Sequence, residues 1–167
     1  MSNDLNKIVC ITVTVSSQSL VARNSDGDVV VSYSISTAKN GIGQEMGSEC
    51  TPLGEHKVRA KIGDGYQANT VFVARRATGE IYSEKLATEY PNRDWILTRI
   101  LWLSGTEIGK NRLGDVDTMR RYIYIHGAPD SHKMGAPSSH GCIKMSNDDM
   151  IELFDKVDVG TTVVIEK

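Results

Sequence analysis

Aromatic residues are scarce in this chain: two Trp, two Phe and six Tyr make up 6% of 167 positions, and only four prolines accompany them. Charge of one sign is missing too. Nineteen Lys and Arg stand against 21 Asp and Glu, a formal net charge of −2. No basic run is long enough to follow a phosphate backbone, which excludes nucleic acid as an expected partner. No apolar stretch approaches the roughly 18 residues that span a bilayer, so no membrane partner is expected either. Met1 to Lys7, MSNDLNK, lacks the basic start, apolar run and small-residue cleavage site of an export leader. As written the sequence reads as cytoplasmic; one trimmed of its leader would read the same and belong in the periplasm or cell wall. Cysteine is sparse and odd in number, Cys10, Cys50 and Cys142. That excludes a closed disulfide framework and leaves three free thiols in a reducing compartment. A chain of this length buries enough surface to fold without a metal or disulfide.

What is present is mostly strand. Ile8 to Val15, IVCITVTV, alternates with period two and places Val9, Ile11, Val13 and Val15 on one face, with Cys10 assigned to the core. Ser19 to Arg23 and Val29 to Ile35 form a hairpin across Asn24-Ser25-Asp26-Gly27, where Asp-Gly supplies positive φ. A Gly-rich connection follows from Thr37 to Glu49. Thr51-Pro52-Leu53-Gly54 then bends the chain into an alternating run from His56 to Ile62. Val71 to Ala74 and Glu80 to Tyr82 flank a Thr78-Gly79 turn. Trp95 to Leu103 is apolar, its two tryptophans read as core or as groove lining. Arg121 to His126, RYIYIH, reads as a strand ending on histidine. Ser146 caps a helix whose Met150, Leu153, Phe154 and Val157 fall on one face. Gly160 stops it, and Thr161 to Ile165 closes the chain as a strand. The pattern predicts one mainly β domain over 1–167 with a single short amphipathic helix near the C-terminus.

Chemistry gathers in one place. Three of the four histidines and Cys142 fall between 126 and 142, in a stretch rich in Gly, Pro and Ser. A free thiol is only a few per cent thiolate at neutral pH, so a nucleophilic cysteine needs a base or cation beside it. His140 shares a face with Cys142 in an extended segment, and His126 reaches the sulfur only if the fold brings them together; spacing leaves both open. The competing readings of Cys142 are a buried structural thiol and a zinc ligand with His126 and His140. No Cys-x-x-Cys or His-Glu-x-x-His accompanies the latter, so no metal or cofactor is expected. His132 reads as a solvated loop side chain, His56 as a packed one, and Lys144 as either a surface charge or part of the site.

The segment from Ile125 to Met145, IHGAPDSHKMGAPSSHGCIKM, resembles the signature of the L,D-transpeptidase catalytic domain of the YkuD type, in which a His-Gly pair precedes Ser-His-Gly-Cys. Milder similarity covers Gln18-Ser19-Leu20, the turn at Gly27, Ser36-Thr37 and the Thr51 bend. The resemblance implies a β-sandwich with the cysteine in a groove. It makes Cys142 the nucleophile and His126 the base, oriented by the carbonyl of Gly127, while Ser139, His140 and Gly141 shape the site and its oxyanion hole. Two departures stand out. Only 12 residues separate His126 from Ser139, shorter than usual, and Lys144 replaces the commoner arginine, giving up a planar fork for a carboxylate.

The implied substrate is a peptidoglycan stem peptide or muropeptide ending in D-Ala, cleaved at its L,D bond through a thioester. Water resolving that thioester makes an L,D-carboxypeptidase of muropeptide recycling, the favoured version. An amine resolving it makes an L,D-transpeptidase that forms 3–3 cross-links. A wall-peptide binding module without turnover is the non-enzymatic alternative.

Overall fold

The computed structural model describes residues 4–167; Met1–Asn3, the head of the segment read for an export leader, lie outside the described residues. Ten strands share one sheet: β1 (Cys10–Thr14), β2 (Ser19–Arg23), β3 (Val29–Ser34), β4 (Gly54–Ile62), β5 (Thr70–Val73), β6 (Arg76–Ile81), β7 (Ile96–Gly105), β8 (Tyr124–Ala128), β9 (Ile143–Ser146) and β10 (Thr162–Glu166). Their order is β3-β2-β1-β10-β4-β7-β5-β6, with β8 on β7 and β9 on β8. The pairs β1·β10 and β8·β9 are parallel and the rest antiparallel. The sheet curls until its ends meet. Ser36, just past β3, exchanges two backbone hydrogen bonds with Lys144 of β9, at 3.0 and 2.8 Å. That contact covers strand edges that would otherwise stay unpaired.

The expected mainly β fold is therefore present, its sandwich made from a single folded-over sheet. Ile11, Val13, Leu20, Leu101, Ile125, Ile143 and Ile165 fill the core from facing strands. The C-terminal helix, α2 (Asn147–Lys156), adds Met150, Leu153 and Phe154, as its spacing predicts, and Ser146 Oγ accepts from the Asp149 N–H at 3.3 Å. Each such apolar side chain contributes about 1.5–3 kcal/mol on burial, so the helix is held mainly by that face. A second helix, α1 (Glu84–Glu89), was not expected from the sequence: its six residues bury nothing and carry no apolar period to read.

Other boundaries move for local reasons. The β1 ladder starts at Cys10, so Ile8 turns inward and is fully buried while Val9 is exposed. Cys10 falls on the outward face and is half-buried, not core. In the β2–β3 turn only Gly27 has positive φ (+83°), because the Asn24 side chain accepts from the N–H groups of Asp26 and Asp28 and closes the turn itself. The β5–β6 turn sits at Ala74-Arg75, both at positive φ (47° and 64°), and Thr78-Gly79 lies inside β6. β8 begins at Tyr124 and continues past His126, since residues 121 and 122 form a turn with Tyr122 at φ 55°.

Candidate active site

Two parallel strands build the site by alternation. In β8, Ile125 points into the core and Tyr124 and His126 face the other way; in β9, Ile143 and Met145 enter the core and Lys144 faces out beside His126, its register partner. Cys142 immediately precedes β9 and lies next to Tyr124, whose N–H donates to the sulfur at 3.4 Å. The thiol in turn donates to the Tyr122 carbonyl at 3.4 Å. Cys142, His126, His140, Ser139, Lys144 and Asp94 all border one cavity of about 430 Å³. The fold thus brings together the residues that the Ser139–Cys142 segment and the distant His126 contribute.

His126 is 1% exposed, and its Nδ1 lies 2.6 Å from the Gly127 carbonyl. A carbonyl only accepts, so Nδ1 carries the proton and Nε2 keeps the lone pair. Burial lowers the His126 pKa below its ordinary value, opposed by that carbonyl and by Asp94, with Lys144 and His132 adding smaller pushes downward. Burial also pushes the Cys142 thiol up to about 12. Among the described residues His126 does not hydrogen-bond the sulfur.

Gly127 is glycine for lack of space. A Cβ there would lie 2.5 Å from Asn147 Oδ1 and 2.7 Å from the Leu97 carbonyl. Asn147 belongs to a buried network behind His126: Thr98 Oγ1 donates to its Oδ1 at 2.5 Å, and its Nδ2 donates to Asn69 Oδ1 and Asp130 Oδ1 at 2.9 and 3.2 Å. Thr98 holds φ +75°, costly for a β-branched residue, at the irregularity where β7 pairs with β8.

Ser139 is tied into the loop. Its hydroxyl donates to the Cys142 carbonyl at 2.5 Å and accepts from the Gly141 N–H at 3.2 Å. Gly141 N–H is therefore occupied, while the Cys142 N–H has no acceptor among the described residues. Gly141 stands at φ +133°, with its carbonyl held by Thr51 Oγ1 at 2.9 Å, which gives the Thr-Pro-x-Gly bend a structural purpose. Arg121 ties down the loop behind, donating to the carbonyls of Gly43, Gln44 and Cys50.

Lys144 is 7% exposed, and burial lowers its pKa, so it is not a free surface charge. Its Nζ lies 3.5 Å from His132 Nε2, which draws His132 to the site's margin where the sequence suggested a solvated loop. His140 is exposed, with Asp94 3.9 Å away. His56 is packed as expected. Trp95 stacks edge-on against Tyr82 outside β7, and Trp102 is half-buried beside Tyr122 and Tyr124. Asp94, Thr98, Arg121 and Asn147 carried no legible signal, because each acts through contacts between distant segments. Among the described residues no three His, Cys, Asp or Glu side chains are grouped to hold a metal.

Comparison with known proteins agrees with this architecture. The family described as YkuD, L,D-transpeptidase catalytic domain, matches residues 9–165. A curated Bacillus subtilis protein, "Putative L,D-transpeptidase YqjB", is 44% identical over 45 residues, 27% of this chain and 26% of the relative. L,D-transpeptidase 3 from Mycobacterium tuberculosis superposes with a TM-score of 0.60 at 16% identity, over 96% of this chain and 61% of that one. An L,D-transpeptidase from Mycobacterium smegmatis gives 0.56 at 18%, over 95% and 58%. At such identities the structures establish a shared fold, and this chain spans about three-fifths of their length.

Proposed function

Because this chain belongs to the L,D-transpeptidase catalytic domain family, we propose that it transfers the acyl group of a peptidoglycan stem peptide onto Cys142. The observation that carries this is the pairing, in one cavity, of the Cys142 sulfur with a buried His126 whose Nε2 is open. In the proposed step the sulfur attacks the carbonyl on the L side of the bond to D-Ala while Nε2 takes the thiol proton. The tetrahedral oxyanion forms where the Cys142 N–H can donate to it. His126 then passes its proton to the departing D-Ala amine, the C–N bond breaks and a thioester remains.

Hydrolysis is the resolution we favour: water attacks the thioester, releasing the tripeptide carboxylate and returning the proton to sulfur. What supports it is the short loop 129–138. Backbone bonds from Gly135 to Ile35 and from Ser138 and Ser139 to Thr37 pin it down, leaving a compact site. One observation favours the cross-linking alternative. A smaller recess of about 220 Å³ adjoins the cavity, sharing Asp94, His140 and Lys144, and offers a second stem's amine an approach. Chromatography of products from a purified disaccharide-tetrapeptide separates the two. Tripeptide and D-Ala as main products support hydrolysis; dominant 3–3 dimers overturn it in favour of transfer. Absence of any Cys142 acyl adduct or product overturns the acyl-transfer reading itself.

A further inference from the structure

We propose that Arg75, at the tip of the β5–β6 hairpin, is a specificity-determining residue that grips a carboxylate of the peptide substrate. The proposal rests on the acyl-transfer reading above and names the group that would hold the substrate in place. Arg75 borders the same cavity as Cys142 and His126. Its guanidinium lies 4.7 Å from the Trp102 ring centroid and 5.0 Å from that of Tyr122, and it donates to the Tyr124 hydroxyl at 3.0 Å. Two rings and one hydroxyl therefore fix the plane of the fork before any ligand arrives. No carboxylate pairs with it among the described residues, and the Tyr124 bond is its only hydrogen bond there. A guanidinium has five donors, so the greater part of its capacity is unspent.

The same short segment ties this cation to the nucleophile. The backbone of Tyr122 and Tyr124 contacts the sulfur, and the side chains of the same two residues hold Arg75. The fork and the sulfur thus stand on the same short segment in one cavity, where an acid of a bound peptide can meet the guanidinium. The other cavity cation is less suited: Lys144 is buried, has its positive form disfavoured by that burial, and offers a point charge with no plane. Backbone placement points the same way. Both turn residues, Ala74 and Arg75, take positive φ, the two-residue turn that matches strand twist in a hairpin, so the cation rides on a defined tip.

The test uses the full chain with three peptides: the free tetrapeptide, its C-terminal amide and its third-residue side-chain amide. For the peptide acid that Arg75 grips, R75M should lower kcat/KM by about tenfold or more through KM, as expected for a lost charge-assisted contact. Against the matching amide, wild type and R75M should differ by about twofold or less, and R75K should recover only part of the loss, because it restores charge without the fork. Whichever amide erases the difference identifies the carboxylate. Equal losses of R75M on acid and both amides, or no loss on any, overturn the proposal. A second readout works even if no peptide is turned over. N-acetyl-D-alanine, if Arg75 grips the C-terminal acid, or an N-acyl diamino acid with a free side-chain carboxylate, if it grips that of the third residue, should slow iodoacetamide alkylation of Cys142 in wild type and not in R75M. The matching amide should slow neither, and protection by neither acid overturns the site. Protection with that pattern upholds the Arg75 site though the acyl-transfer reading fails. Turnover without any dependence on Arg75 leaves that reading standing and removes the site.

Discussion

Two buried histidines stand on strands of the same sheet, β4 and β8, which flank β7, and they match in nearly everything. His56 of β4 is fully buried, its Nδ1 2.9 Å from the Gly54 carbonyl; His126 of β8 is 1% exposed, its Nδ1 2.6 Å from the Gly127 carbonyl. In both the carbonyl fixes the tautomer, and in both burial is the largest cause of a lowered pKa. They part at the other nitrogen. Nε2 of His56 is 2.9 Å from Thr118 Oγ1, and that of His126 has no protein partner among the described residues and borders the cavity. A depressed pKa therefore does not single out either ring; what sets His126 apart is an open Nε2 in the cavity that Cys142 also borders, and its proposed role as base rests on that.

Cys142→Ala breaks the comparison most completely. Without the sulfur, both acylation and turnover should vanish, as read by mass spectrometry and product release, while the thermal transition moves little, since a half-buried side chain is only shortened. His126→Ala comes next and should lower kcat/KM by about two orders of magnitude or more, the usual share of a general base. The wild-type rate should fall on the acid side only below pH 6.5, because the His126 pKa is lowered from that value. An acid limb above pH 6.5 would place the base elsewhere.

His56 sharpens the contrast through stability. Folding lowers its pKa from 6.5 to about 4, so the unfolded state binds the proton more readily than the folded one. Its contribution is whole above about pH 6.5 and is lost as pH falls toward 4, a change approaching about 3 kcal/mol. Urea titrations of His56→Gln against wild type should show a shallower loss over that window. At pH 7 the variant should be less stable by about 1–3 kcal/mol, for the unpaired Gly54 and Thr118 groups, with kcat/KM nearly unchanged.

Much of this was legible in the sequence, for reasons that differ by residue. Period-two alternation exposes the strands, and the Met150, Leu153, Phe154 spacing exposes α2, because both patterns are local. Cys142 and His126 are legible through the motif around them. The Ala74-Arg75 turn was not, because neither residue favours the positive φ it adopts, and Thr78-Gly79 offers a stronger local signal that the fold uses inside a strand. The Asn147 network and the seat of Arg75 were also out of reach. Each joins three or more segments distant in sequence, and nothing in Asn147 as the first residue of a helix says that its amide will lie under Gly127.

His140→Ala should have the smallest effect and tests the choice between the two histidines of the signature. Sequence spacing alone favours neither. In the structure the His140 side chain is 65% exposed, its ring 3.9 Å from Asp94, which is itself 49% exposed. An ion pair so open to water contributes little, at most about 1 kcal/mol, and only while the imidazole is protonated. Among the described residues no backbone carbonyl holds a His140 ring nitrogen as the Gly127 carbonyl holds that of His126. Removing the ring should therefore change kcat/KM by less than about fivefold at pH 7, well short of the two orders of magnitude that a general base supplies. The pH profile should keep its acid limb. Losses in His140→Ala that equal or exceed those in His126→Ala, or an acid limb that disappears with His140, would transfer the base to the exposed ring and leave His126 a strut like His56.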